Sequence, residues 1–322
     1  MNSNPLRLLA FIVVQLLCLG SVQSQDFPTK PIKLISPYAA GGGTDLSLRL
    51  LSDRLQQKWG QPVVVEYKPG GSANIGSEHV FRSPPDGHTL LLTPPPPLTI
   101  NRHLFSKMNF DSMLFTPISH IYESANVLLV ANTVAIDNMQ QLIRFAKENP
   151  GKLTYGSPGS GSTGHLAAEM LSSTAEVKFT HIPFNGTGPA LVAVLGGHID
   201  LMFSELSAAL PQIKSGKVKA IAVSSLKRNP SLPDVPAISE TLAGFSATTS
   251  GNLVGPPNMP PSVVSKISLA VSDILHEPEV MKMFLNVSAT PMGSTPQELA
   301  QILKVDSDKW GKVIKSVGVK LD

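Results

Sequence analysis

Ile32-Lys33-Leu34-Ile35-Ser36-Pro37-Tyr38-Ala39-Ala40-Gly41-Gly42-Gly43-Thr44-Asp45 is the stretch that decides the fold class. Ile32 to Ser36 is a short apolar run rich in β-branched residues, which reads as a buried strand. Pro37 to Thr44 is a glycine-rich loop. From Asp45 a helix places Leu48, Leu51, Leu55 and Trp59 on one face, and Gly60 stops it. Strand, loop and helix in that order are the repeating unit of an α/β protein with a mostly parallel sheet.

The pattern extends in both directions. Val63-Val64-Val65 and Thr89 to Thr93 read as strands, and the Pro84-Pro85-Asp86-Gly87 turn precedes the second. Together they make one βαβ lobe. A second lobe starts near Asn126, where Val127 to Ala131 is a strand and Asp137 caps a helix carrying Met139, Leu142, Ile143 and Ala146 at helical spacing. Leu153 to Gly156, Phe179 to Ile182, Leu201 to Phe203 and Ala220 to Ser224 supply further strands, with helices starting near Thr163 and Pro189. After the proline-rich stretch Asn229 to Pro236, Asn252 to Gly255 reads as a return crossing, followed by helices from Pro261 onward. Thr295-Pro296-Gln297-Glu298 is a capping box with proline at the first helical position. Pro94 to Pro97, four prolines without backbone donors, reads as a stiff loop at a strand end. The expected division is a leader over 1–24, a first lobe over 25–124 and 247–322, and a second lobe over 125–246.

The 322 residues are enough for two such cores. Arg7 followed by the apolar run Leu8 to Leu19, then the polar and small residues Ser21 to Ser24, has the form of a cleaved secretory signal, too short to span a bilayer comfortably. Cys18, the only cysteine, falls inside it. The mature chain therefore offers no disulfide, thiolate metal site or cysteine nucleophile. Without Arg7 the 26 basic residues become 25 against 23 acidic, and they are scattered, so nothing resembles a nucleic-acid footprint.

Two loops carry the chemistry. In Tyr38, Ala40, Gly41, Gly42, Gly43, Thr44 and Asp45, glycines leave main-chain amides uncovered at the positive end of a helix, which suits an anion. The sequence matches neither a nucleotide P-loop nor a complete dinucleotide fingerprint. Tyr155 to His165 repeats the arrangement in the second lobe, with Ser157, Ser160, Gly161, Ser162 and Thr163 adding hydroxyls to amides. Neither loop contains Lys or Arg, so a carboxylate would be held by neutral dipoles. In open parallel sheets such loops face a cleft beyond the carboxyl ends of the strands. Asp45 either caps its own helix or accepts from an ammonium or hydroxyl group of the ligand. The turn at Phe184, Gly186 and Thr187 and the strand end Phe203-Ser204-Glu205 are further cleft walls, or serve as turn and cap.

A hydrolase pair of Ser157 or Ser162 with His165 is the enzymatic alternative, but Gly159-Ser160-Gly161 lacks the first glycine of a nucleophile elbow. The eight histidines include no His-x-x-x-His pair beside an acid, so no metal site is expected.

The ordered set Phe27 to Ile32, Pro37 to Asp45, Pro69 to Gly76, Pro85-Asp86-Gly87, Tyr155 to His165 and Leu195 to Phe203 resembles the Bug or TctC family of extracytoplasmic solute receptors of the tripartite tricarboxylate transporters, over nearly all of residues 26–322. The resemblance implies a two-lobed periplasmic binding protein fold of type II-like architecture that closes on a small carboxylate. It implies ligand contacts from Tyr38 to Asp45, Ser157 to Thr163 and Phe184 to Thr187, membrane transporter subunits as partners, a monomer, no cofactor and no catalysis. The family often has Asp after the Met-Phe strand, where this chain has Ser204. A binding protein feeding a sensor is the alternative reading. Closure is expected to hinge near Ala125 and Asn252.

Overall fold

The computed structural model describes residues 27–321, so the leader expected over 1–24 lies outside the described residues. The first lobe opens with β1 (Ile32–Ser36), α1 (Gly43–Trp59), β2 (Val63–Tyr67), α2 (Asn74–Phe81) and β3 (Thr89–Thr93). A short helix α3 (Asn101–Leu104) leads to the long β4 (Thr116–Val130). The second lobe contains α4 (Met139–Glu148), β5 (Thr154–Ser157), α5 (Thr163–Ala175), β6 (Thr180–Pro183), α6 (Thr187–Leu195), β7 (Leu201–Glu205), α7 (Leu206–Lys214) and β8 (Lys219–Val223). The chain then returns through β9 (Thr248–Gly255) and ends with α8 (Pro261–Leu275), α9 (Pro278–Asn286), β10 (Ala289–Pro291) and α10 (Pro296–Val317).

All ten strands join one mixed sheet, with β2-β1-β3-β9-β4-β7-β5-β6 as its path and β8 and β10 attached to β4. Each lobe holds a parallel trio, β2-β1-β3 on one side and β6-β5-β7 on the other. Antiparallel β9 and β4 stand between them. The expected strand Val127 to Ala131 is thus the last part of a 15-residue strand. Thr116 to Ala125 pairs with β9, and Asn126 to Val130 pairs with β7 and β8. Ser119, His120 and Ser124 interrupt the apolar pattern of its first half, where the ladder with β9 shifts register.

Two local expectations are corrected. The cap of α4 is Asn138, whose side chain accepts from Gln141 N at 2.9 Å, while Asp137 N donates to the Gln141 side chain at 2.8 Å. Pro96 and Pro97 are not part of an irregular loop but open the buried helical turn Pro96–Ile100. The first residues of a helical turn have no intrahelical acceptor for their N–H groups, so proline loses nothing there.

Strand alternation distributes β4 between two cores. Leu128 and Val130 join Tyr155, Leu166, Leu171, Leu201 and Phe203 on one face, while Val127 and Leu129 join Val194, Met202, Leu206 and Leu210 on the other. A separate cluster in the first lobe gathers Leu34, Leu51, Leu55, Leu90, Ile118 and Leu253 with Ile267 and Val271 of α8. β1, β3 and β7 are largely buried, which is why they read as near-continuous apolar runs, while the edge strands β2 and β6 are partly exposed. Helix α10 spans both halves: Leu299 and Leu303 pack with Ile35 and Leu91, whereas Trp310 and Ile314 sit in the cluster of Tyr155 and Phe203.

The chain crosses between the halves at Ala125–Asn126 and at Ala247–Thr248, and these crossings are bonded to each other. Asn126 Nδ2 donates to the carbonyl of Ala247 at 2.7 Å, Ser224 Oγ donates to the same carbonyl at 2.6 Å, and Asn126 N donates to Ser224 Oγ at 2.9 Å. Asn252 lies further along β9, paired with Thr93 and His120.

Candidate functional site

A narrow cleft lies where the two trios of strands face each other. Its wall from the first lobe comes from Ser36, Tyr38, Ala39, Gly42, Thr44, Asp45, Pro94 and Pro96. The second lobe contributes Pro158, Ser162, Thr163, Thr187 and Glu205, and Asn126 and Thr249 of the crossing strands close the back. Tyr38 also borders an adjoining recess, shared with Ser160, Phe184 and Asn185. The topology explains the convergence, because both loops leave the carboxyl ends of central parallel strands, β1 and β5.

The loop after β1 is built around Asp45. Its carboxylate accepts from Gly41 N at 3.1 Å, from Arg49 Nε at 3.1 Å and from the Tyr67 hydroxyl. The Gly41 amide is therefore turned onto its own helix rather than into the cleft. Gly41 has φ +96°, a conformation that favours glycine. Gly43 opens α1, whose preceding residue, Gly42, makes no side-chain cap. Asp45 N in its first turn already donates to the Gly42 carbonyl at 3.1 Å, so it is the amides before Asp45 that have no intrahelical acceptor. Thr44 points inward, with its Oγ1 3.2 Å from the buried Tyr122 hydroxyl. Burial pushes the Tyr122 hydroxyl well above the usual phenol range, and the neighbouring Glu205 carboxylate adds to this.

The loop after β5 is tied from below by an aromatic stack. The rings of His165 and His181 lie 4.2 Å apart, and those of Tyr155 and His181 4.7 Å apart. Gly161 N donates to His165 Nδ1 at 3.0 Å, and Ser162 Oγ accepts from His165 N at 3.1 Å, capping α5. Ser157 is fully buried, with its Oγ 2.7 Å from His181 Nε2 and donating to the Gly159 carbonyl at 3.0 Å. Burial lowers His165 to about 3, helped by the adjacent His181, and lowers His181 to about 4. Both rings are neutral near neutrality, and a neutral His165 is what its role as acceptor requires. The serines and histidines of the hydrolase alternative are thus engaged in holding the loop. Among the described residues, no group of His, Cys, Asp and Glu is placed to hold a metal ion.

Of the residues singled out from sequence, Tyr38, Gly42, Thr44, Asp45, Ser162, Thr163 and Thr187 line the cleft, and Ser160 and Phe184 line the recess beside it. Gly186 and Ala40 lie at the seam between the lobes, where the Cβ position of Gly186 is 3.1 Å from Ala39 N and that of Gly188 is 2.3 Å from Ala40 O. Gly161 packs against Leu104 and Asn101. Ser204 turns away from the cleft: it is fully buried, faces Val127 in the ladder and donates to the Glu205 carbonyl. Its neighbour Glu205 faces the cleft instead, as alternation along a strand requires. Sequence reading placed Glu205 in the cleft wall only as part of the strand end Phe203-Ser204-Glu205, with Ser204 as the expected contact, and did not single out Ser36, Asn126 or Thr249 for the cleft. Glu205 carried a signal, a carboxylate two residues past the apolar run Leu201 to Phe203.

The comparisons with known proteins agree with this geometry. Residues 47–319 match the family model described as the tripartite tricarboxylate transporter family receptor. A UPF0065 protein from the tcbD-tcbE intergenic region of Pseudomonas sp. strain P51 is 32% identical over 89% of this chain and 86% of its own length. An R. palustris protein solved with adipate superposes with a TM-score of 0.89 at 30% identity, covering 92% of this chain and 99% of that one. MatC from Rhodopseudomonas palustris, solved with bound malate, gives 0.86 at 29% identity, covering 89% and 100%. With the family model matched over most of its length, and with two helix starts facing one cleft of a two-lobed α/β fold, this chain belongs to the tripartite tricarboxylate transporter receptor family.

Proposed function

We propose that the protein works in the periplasm as a monomer, closes on one small carboxylate between its lobes, and delivers it to the membrane subunits of a tripartite tricarboxylate transporter without transforming it. The observation that carries this reading is the cleft itself: the starts of α1 and α5 open onto it from opposite sides, and its lining includes no Lys, Arg or His. Two sets of main-chain dipoles suit the two ends of an extended dicarboxylate, held by charge-assisted hydrogen bonds of about 2.7–2.9 Å. The adipate and malate bound by the two structural relatives support the same class of ligand here. In this reading residues 25–124 with 247–322 form one lobe and 125–246 the other, with the crossings at Ala125–Asn126 and Ala247–Thr248 as the hinge.

The test is a melting-shift screen of mono-, di- and tricarboxylates, amino acids and aromatic acids, repeated on Gly42→Asp and Ser162→Asp. Each substitution places a negative charge at one helix start, so a ligand that raises the wild-type melting temperature should leave both variants unmoved. Unchanged shifts in both would refute the assigned site. Turnover of the stabilising compound would refute the transport reading.

A further inference from the structure

The strands that carry the chain between the lobes have two faces, and the cleft occupies one of them. Asn126 of β4 and Thr249 of β9 close the back of the cleft. Alternation therefore turns Glu123 and Ala125 of β4, with Thr248 of β9, to the opposite face, and Thr290, paired with Glu123, joins them there. These residues line a second hollow, whose far wall is formed by Ser225, Lys227 and Asn229 of the segment after β8. It straddles the bonded crossings from behind, as the cleft does from the front. Its walls carry opposite charges. Glu123, on the side of the first lobe, is 60% exposed, and its Oε1 lies 3.4 Å from His120 Nε2. On the side of the second lobe, Arg228 is taken up by a two-point ion pair with Glu240, each contact 2.8 Å. Lys227 beside it is exposed and has no ion-pair partner among the described residues.

In this structure the front is shut, because Ala39 N donates to the Asn185 carbonyl between the lobes at 3.0 Å. Rotation about crossings that lie between two hollows widens one as it narrows the other. We propose that the rear hollow closes when the ligand cleft opens, that Glu123 and Lys227 meet across it as an ion pair in the open form, and that side chains there set ligand affinity without touching the ligand. This rests on the closing motion put forward above and adds to it the element that opposes closure. A ligand that binds only the closed form has its affinity reduced in proportion to the fraction of molecules that are closed. A side chain that fills the rear hollow removes open molecules and so tightens binding. Loss of the Glu123–Lys227 attraction acts in the same direction but less strongly, because both groups are solvent-exposed.

Thr290→Trp and Ser225→Trp fill the hollow from its two walls, at an exposed and a half-buried position outside the cleft. Small-angle scattering of the ligand-free protein tests the hinge without any ligand. Both tryptophan variants should show a smaller radius of gyration than wild type, as should Lys227→Glu, and the exchange of Glu123→Lys with Lys227→Glu should restore the wild-type value. Calorimetry then uses adipate and malate as probes. An acid that binds wild type should be held at least about threefold tighter by the tryptophan variants, through slower release. Lys227→Glu should bind it about two- to fivefold tighter, a gain that shrinks in about 0.5 M salt. Tryptophan variants as extended as wild type, or binding no tighter, would overturn the proposal while leaving the carboxylate reading intact. An unchanged radius and affinity in Lys227→Glu would overturn the ion pair. If neither acid binds wild type, the carboxylate reading loses its support, and the scattering comparison still decides whether the rear hollow governs opening.

Discussion

Ala39 N donates to the carbonyl oxygen of Asn185 at 3.0 Å, so the loop after β1 in one lobe is bonded backbone to backbone with the turn before α6 in the other. Around this bond the chains approach through residues that lack side-chain bulk: Gly41 lies against Gly188, and Gly186 against Ala39. The lobes are latched over the cleft at this seam.

A methyl group at Gly188 would stand 2.3 Å from the Ala40 carbonyl oxygen and 3.3 Å from Gly41 Cα. Both neighbours are backbone, which cannot swing aside as a flexible side chain can. Gly188 lies in the first turn of α6, where alanine is a better helix former by about 1 kcal/mol. Gly188→Ala should therefore fold normally yet fail to close. The expected result is a ligand affinity at least tenfold weaker, with no ligand-induced drop in radius of gyration by small-angle scattering and a ligand-free melting temperature within about 2 °C of wild type. Full compaction of the variant would show that the seam does not govern closure.

The histidines beneath the second loop make stability depend on pH with a definite sign. His165 and His181 are lowered in the fold to about 3 and about 4, against about 6.5 when unfolded. Below pH 6.5 the unfolded chain takes up protons that the folded chain refuses, so stability is full above that value and falls as the pH drops toward 4 and then 3. Each histidine contributes a slope approaching about 1.4 kcal/mol per pH unit within the window. Between pH 7.5 and 5 most carboxylates stay ionised, so chemical denaturation over that range isolates the effect. His181→Gln should flatten the decline, and an equally steep profile in this variant would rule out the assignment.

The fold was legible where one residue type dominates a short span. Ile32 to Ser36 and Thr89 to Thr93 are buried apart from Lys33 and Thr89, so their apolar runs carry no ambiguity, whereas in Val63 to Val65 only Val63 is buried and the strand was read from its β-branched residues. The first half of β4 was not legible, because it is a bulged central strand with buried Ser119, His120 and Ser124 whose partners lie far away in sequence: Ser119 Oγ donates to the Ser294 carbonyl, and His120 Nδ1 pairs with Asn252. The loops of the cleft could be read from glycine content and position after a strand. Which member of the pair Ser204 and Glu205 faces the cleft depends on the register of β7 against β4, a long-range fact that no local pattern reports.

Trp310 ties the C-terminal helix to the second lobe. It is 1% exposed and shares a cluster with Tyr155, Leu166 and Phe203, elements separated from it by more than a hundred residues of chain. Trp310→Ala should cost about 3–5 kcal/mol in urea denaturation, the usual range for deleting a buried indole. A loss below about 1 kcal/mol would mean that α10 does not stabilise that half of the molecule.

Asn126 sits at the back of the cleft, 2% exposed, where both crossings meet, and it faces Glu205 in the ladder. Asn126→Ala removes the donor to the Ala247 carbonyl, which still accepts from Ser224 Oγ, so the expected cost is only about 0.5–1.5 kcal/mol. Asn126→Asp has nearly the same shape but replaces a donor with a buried anion directed at a carbonyl and adjacent to Glu205. Its folded-state pKa should rise above the unfolded carboxylate value of about 3.9, so it destabilises at neutral pH and the loss shrinks as the pH falls toward that value. Denaturation at pH 7.5 and pH 5 should therefore show Asp worse than Ala at the higher pH, with the gap between them narrower at the lower. A gap that stays constant or widens would mean that the Asn126 position does not feel the charge of Glu205.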